Sequence, residues 1–283
     1  MRSFTSAVAV ILALVLTAVA VPTIWLDRNI VQEDGFVALA APLGADAGFQ
    51  ERLADATVAS LDFERIVPEP LLPAAQQLLD SAVQSLSALP GYGAAWEETL
   101  RRSHRLSFPA EGAQSAEGPG TALTMDVAPL VGLVTNAIGS NLGLAVEAPT
   151  QTLINIGEPA QRQLIEQVAA FTPLGYLLAL GAAVAFLLGL MAARRRWTVF
   201  LSAGLGLLIL AAVWTLGMGI AEGVVRGMSS GNEVAELFKN QFVEAVAGSF
   251  AQWVTWSLIA AAVLIAAAIL LRLLDGRRRR PVS

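Results

Sequence analysis

Few side chains in this chain can do proton or metal chemistry. His104 is the single histidine in 283 residues, and there is no cysteine. A Ser/His triad or a histidine-based metal site would have to be built on that one residue. Its sequence neighbour is Ser103. Adjacent positions on a helix point about 100° apart, which is poor geometry for a nucleophile and its base. Tyr92, Trp96, Leu100 and His104 recur at every fourth position, so the histidine reads as the last member of a helical stripe. An envelope enzyme working through His104 is the alternative reading.

Paired acids come next. Glu97 with Glu98, and Asp62 with Glu64, are the types that serve as general acid and base or hold Ca²⁺. Neither pair sits in a loop whose spacing gathers several oxygen ligands, so both read as a solvated acidic face. No GxSxG, Walker A or HExxH pattern occurs. The lack of cysteine removes thiolate metal sites, CxxC redox chemistry and disulfides. No cofactor is expected, and no nucleic-acid partner.

The elements that must position these residues are dominated by four apolar runs, at about 4–26, 173–193, 197–221 and 250–271. Each is long enough to cross a hydrocarbon core of about 30 Å as a helix. A 55% apolar composition agrees with an integral membrane protein. Between the ends of the runs there is no Asp, Glu, Lys, Arg or His, the residues that ion-coupled carriers and voltage sensors need at mid-depth. Glu222 and Arg226 lie at an interface, one helical turn apart, and suit local pairing. Ala18, Val19 and Ala20 would suit a signal-peptidase site, but the first run continues through Trp25 and Leu26, which favours an uncleaved signal anchor.

Arginines near the run ends set the expected orientation, because bases beside membrane spans are retained in the cytoplasm. Arg2, Arg194, Arg195, Arg196, Arg272, Arg277, Arg278, Arg279 and Arg280 fall on one side with Asp275 as the only acid, about +8. The other nine bases and 22 acids fall on the opposite side, about −13. The expectation is a multi-pass protein of the bacterial plasma membrane with both termini cytoplasmic. Its segments are a first span ending at residue 26, an extracytoplasmic domain at 27–172 and a second span at 173–193. A cytoplasmic turn at 194–196, a third span at 197–221 and an outer helical segment at 222–249 follow. The fourth span at 250–271 leads to a basic tail at 272–283.

Within the outer domain, Asp46 is placed to cap a helix bearing Phe49, Leu53, Ala56, Val58 and Leu61. After Pro68, Pro70 and Pro73, a second helix carries Leu78, Leu79, Val83 and Leu86. A third holds the Tyr92 to His104 stripe. Short strands are expected at 105–108, 121–126 and 151–156, with a Gly-, Ala- and Ser-rich loop at 109–120. Asp126 is placed to cap a helix with Leu130, Val131, Val134 and Ile138 on its buried face. Glu158 and Pro159 open a helix that runs to Phe171 and meets the second span at a kink. Ser230 and Glu233 have capping-box spacing ahead of Leu237, Phe238 and Phe242. The fold class is an α-helical membrane protein with an extracytoplasmic, mostly helical α+β domain.

Gly219, Gly223 and Gly227 form two overlapping GxxxG motifs, the pattern that lets a neighbouring helix approach closely. A span of the same chain is the favoured partner, and another subunit the alternative. Gly181, Ala185 and Gly189 repeat the pattern more weakly in the second span.

The stretches FVALAAPLGADAGFQERLADATVASL, AAWEETLRRSHRLSF, LTMDVAPLVGLV and INIGEPAQRQLIEQ resemble, in order, an uncharacterised family of actinobacterial integral membrane proteins. The resemblance implies four spans and a large domain after the first. It implies no activity, substrate or catalytic residue. In topology alone the chain is also similar to bacterial ABC permeases of the mechanotransmission type, but little of it is expected in the cytoplasm for an ATPase to grip. The functional expectation is a non-enzymatic scaffold, binding or accessory protein of the cell envelope. Its expected partners are the lipid bilayer and an envelope protein or a second copy of the chain.

Overall fold

The computed structural model describes residues 2–59, 89–108, 124–142, 149–155, 167, 169–228 and 233–278. The expected helix at 78–86, the loop at 109–120, Asp62, Glu64, the helix opening at Glu158, and Arg279 and Arg280 lie outside these residues.

Helices dominate. In chain order they are α1 (Arg2–Leu26), α2 (Glu33–Ala40), α3 (Ala47–Ala59), α4 (Tyr92–Ser107), α5 (Ala128–Leu142), α6 (Leu174–Ala192), α7 (Arg196–Gly227) and α8 (Glu233–Arg278). Strands β1 (Thr124–Asp126) and β2 (Leu153–Asn155) pair antiparallel, with Met125 opposite Ile154. Four helical stretches are long and apolar enough to cross a membrane: Ser3–Val31, Ala169–Ala192, Arg196–Gly227 and Ala235–Asp275. The last begins well before residue 250 because the amphipathic segment after Glu233 runs into the apolar one without a break.

The chain forms two compact units. One comprises Met1–Arg28, Ala169–Val224 and Val246–Ser283, the other Asn29–Val168 and Val225–Ala245. The second unit therefore draws on two stretches of sequence. The segment expected at 222–249 as an outer helical hairpin supplies part of its core through Phe238.

In the first unit, α1 lies antiparallel to α6. Ser6 Oγ donates to the Gly189 carbonyl at 2.8 Å, and at the far end a Cβ on Gly175 would come within 3.1 Å of the Ile24 and Thr23 side chains. Gly175, Ala182, Ala185 and Gly189 are buried on this seam, where small side chains let the backbones approach. Helix α7 meets α8 at Gly204, where a Cβ would stand 2.7 Å from Ile265 Cγ1. Elsewhere these helices present bare leucines and isoleucines such as Leu177, Leu187, Ile209 and Ile259. Such an extended apolar surface needs hydrocarbon around it.

In the second unit, a 3₁₀ turn (Ala41–Ala45), α2, α3, α4 and α5 enclose an aromatic core. Phe49 meets the Trp96 ring edge-on at 5.3 Å, and Phe238 of α8 packs on Phe49 at 6.1 Å. Phe242 reaches Phe36 at 5.6 Å. Gly44 sits where a Cβ would strike the Trp96 ring at 2.5 Å, so only glycine lets the 3₁₀ turn close on the indole.

Candidate functional site

Helix α4 carries most of the polar side chains singled out from sequence. It starts at Gly91, whose φ of 91° is left-handed and open to glycine at little cost. Its stripe of Tyr92, Trp96, Leu100 and His104 is buried. The expected strand at 105–108 is instead the last turn of α4, because Ser107 Oγ donates to Ser103 O at 3.0 Å and Phe108 N–H to His104 O at 2.8 Å.

His104 is only 5% exposed. Its ring stacks on Phe108 at 4.6 Å and lies 5.1 Å from Phe36. Nε2 sits 3.0 Å from the Ile30 carbonyl, so the tautomer that satisfies the pair carries the proton on Nε2 and donates it. Ile30 belongs to a π-helical turn, Asp27–Val31. Burial holds the His104 pKa below its ordinary value, against the opposing pull of the Ile30 carbonyl and Glu33.

Ser103 does not serve the imidazole. Its Oγ donates to Thr99 O at 2.6 Å and accepts the Asp126 N–H at 3.0 Å. Asp126 performs the expected capping role: its Oδ1 accepts the Ala128 N–H at 3.1 Å at the start of α5. The same atom accepts the Thr152 N–H at 2.9 Å, tying the approach to β2 to β1. Arg102 stands 3.9 Å from the other Asp126 oxygen.

The acids on α4 face arginines. Glu97 pairs with Arg101 and Glu98 with Arg102, each at 3.0 Å and four residues apart, while Arg105 reaches Glu98 at 3.4 Å. Glu97 and Glu98 are thus half-exposed members of an ionic ladder along the solvated side of α4. No group of three or more His, Asp or Glu among the described residues could hold a metal ion.

Two further groups fix the core. Asp46 caps α3, accepting the Phe49 N–H at 2.8 Å, and that bond, aided by Gln241, lowers its pKa. Tyr92 donates to Gly44 O at 2.9 Å, and burial pushes its phenol up to about 12. The catalytic candidates are therefore brought together only as hydrogen-bonding parts of a packed interior. No family model, curated protein or solved structure matches the chain.

The residues expected to pack helices are distributed differently. Around Gly219, Gly223 and Gly227 an added Cβ would meet no described atom within 4 Å. Among the described residues, no intrachain neighbour packs on that stripe. The weaker pattern carries the seam instead: a Cβ on Gly181 would lie 3.3 Å from Leu16, and one on Gly189 would lie 3.2 Å from Val10.

The arginines gather. Buried Val10 of α1 and Val199 and Ala203 of α7 cluster with Leu190 and Ala193 from the end of α6 and Leu264 of α8. That cluster brings Arg194 and Arg195, between α6 and α7, and Arg196, the first residue of α7, to the same end of the first unit as Arg272. Two contacts there and along the bundle carried no sequence motif. The Arg272 guanidinium lies over the Trp197 ring, 5.2 Å from its centroid. Trp214 donates its indole N–H to the Ala18 carbonyl at 3.0 Å.

Proposed function

We propose that this is a bacterial plasma-membrane protein with cytoplasmic termini whose second unit works outside as a binding, scaffold or accessory module for an envelope partner. The observation that carries the reading is the basic end of the first unit. Arg194, Arg195, Arg196 and Arg272 converge there, and bases at span ends are held on the cytoplasmic side. In sequence, both stretches that build the second unit join the spans at the ends remote from these arginines, and on this reading they lie outside. His104, Ser103 and Asp126 are each committed to internal hydrogen bonds, which speaks against a catalytic set built on His104.

The natural absence of cysteine makes the topology directly testable. Single cysteines at exposed Ala94 and at Ser283 are expected to react with a membrane-impermeant maleimide only at Ala94 in intact cells. Labelling of Ser283→Cys from outside sinks the orientation. In mild detergent, the correctly oriented protein is expected to retain an envelope partner, and recovery of none overturns the binding role.

A further inference from the structure

The basic end of the first unit has chemistry of its own. We propose that Arg272 and the Arg194 to Arg196 turn form a binding site for the phosphate group of an anionic phospholipid. This goes beyond the outer-domain reading and needs only that the four apolar helices lie in a bilayer.

Four observations converge on it. Arg194, Arg195, Arg196 and Arg272 are exposed, and none has an acidic partner among the described residues. Asp275 is the one acid in this part of the chain. The Arg272 guanidinium carbon lies over the Trp197 ring, 5.2 Å from its centroid, a cation–π contact that restrains the side chain. That contact supplies no hydrogen-bond acceptor, so the guanidinium N–H donors are left to grip a phosphate oxygen pair. Helix α7 also begins at Arg196, so the positive end of a 32-residue helix adds to the same field.

The ligand is argued from position as well as charge. Trp197 is an interfacial residue at the start of an apolar span, and the exposed flanks beside it include Met191 of α6 and Leu273 of α8. A headgroup held by the arginines would lay its acyl chains on that apolar flank. A free phosphate would use the charges but not the flank.

The test uses the full chain reconstituted in phosphatidylcholine vesicles with spin-labelled phosphatidylglycerol or spin-labelled phosphatidylcholine as the probe. The wild type is expected to prefer the anionic probe. Arg272→Gln is expected to lower that preference about fivefold, the usual worth of one arginine at a charged interface. Trp197→Leu is expected to lower it in the same direction, with Trp197→Phe retaining most of it. Arg277 to Arg280 still anchor the tail in these variants, so orientation is preserved. Arg28→Gln, a lone base at the other end of α1, is expected to change nothing.

Several results overturn the proposal. They are an unchanged preference in Arg272→Gln or Trp197→Leu, an equal loss in Arg28→Gln, or full displacement of the lipid by millimolar inorganic phosphate. A preference that vanishes at about 0.5 M salt, where screening leaves only contact pairs, would also mark diffuse attraction and not a site.

Discussion

A histidine pressed between Phe36 and Phe108 titrates differently from one in water, and the sign of the effect follows from burial. Desolvation disfavours the imidazolium, so the folded chain holds the His104 proton less tightly than the unfolded chain, whose reference value is 6.5. Stability contributed by neutral His104 is complete above that value. It is lost as pH falls from there through the depressed folded pKa. The melting temperature of the second unit, followed by tryptophan fluorescence, is therefore expected to drop between neutral pH and mild acid. His104→Gln keeps an N–H donor for the Ile30 carbonyl and has no proton to gain, so its profile should stay flat over that interval. Asp46 acts lower, because its contribution is present above 3.8 and lost as its carboxylate protonates. An identical acid profile in the wild type and His104→Gln would remove the histidine from the account. The structural role of His104 was legible from its four-residue spacing. Its carbonyl partner was not, because a π-helical turn at Asp27–Val31 has no sequence signature and lies 74 positions away from it.

Within elements, the most informative residue pair is one that no motif announced. Pro22 lies inside α1 and has no N–H, so the carbonyl four residues earlier, Ala18 O, loses its helical partner. In hydrocarbon that orphan acceptor has no water to turn to. Trp214 of α7 fills the gap at 3.0 Å. Trp214→Phe is expected to cost about 1–3 kcal/mol by leaving the carbonyl bare. Part of any loss comes from the smaller ring, so the double-mutant cycle with Pro22→Ala isolates the hydrogen bond. Alanine at 22 supplies its own N–H to Ala18, and the tryptophan substitution should then cost less by about 1 kcal/mol. Additive losses in detergent unfolding would mean that the indole contributes packing alone. The four apolar helices themselves were plain in the sequence, since length and hydropathy suffice to mark them. Their partners were not, because GxxxG reports only that a helix could be approached. The exposed stripe at Gly219, Gly223 and Gly227 and the used one at Gly181 and Gly189 look alike until α1 is placed. The strand expected at 105–108 failed for a related reason: alternation over four residues cannot outweigh the hydrogen bonds that extend α4.

At the scale of the whole molecule, the second unit is discontinuous in sequence, and this sets how it can fold. The segment Val225–Ala245 contributes Phe238, which is 8% exposed against Phe49, and Phe242, which lies against Phe36. Truncating one buried phenylalanine costs about 3–5 kcal/mol, and a whole domain is stable by only about 5–15 kcal/mol. A fragment ending at Val168 loses both rings and also opens the core to water, so it should not reach a cooperative native state. Expressed alone, residues 29–168 are expected to show weak near-ultraviolet dichroism and to bind a hydrophobic dye. The same fragment with 225–245 joined by a flexible linker is expected to recover a sharp thermal transition. If 29–168 melts cooperatively without the second stretch, Phe238 and Phe242 only decorate a core that is already complete. If the joined form recovers, the second unit is assembled only after the third span has been made. The chain must then carry an open aromatic core through the synthesis of two spans, when exposed apolar surface is most prone to misassociation.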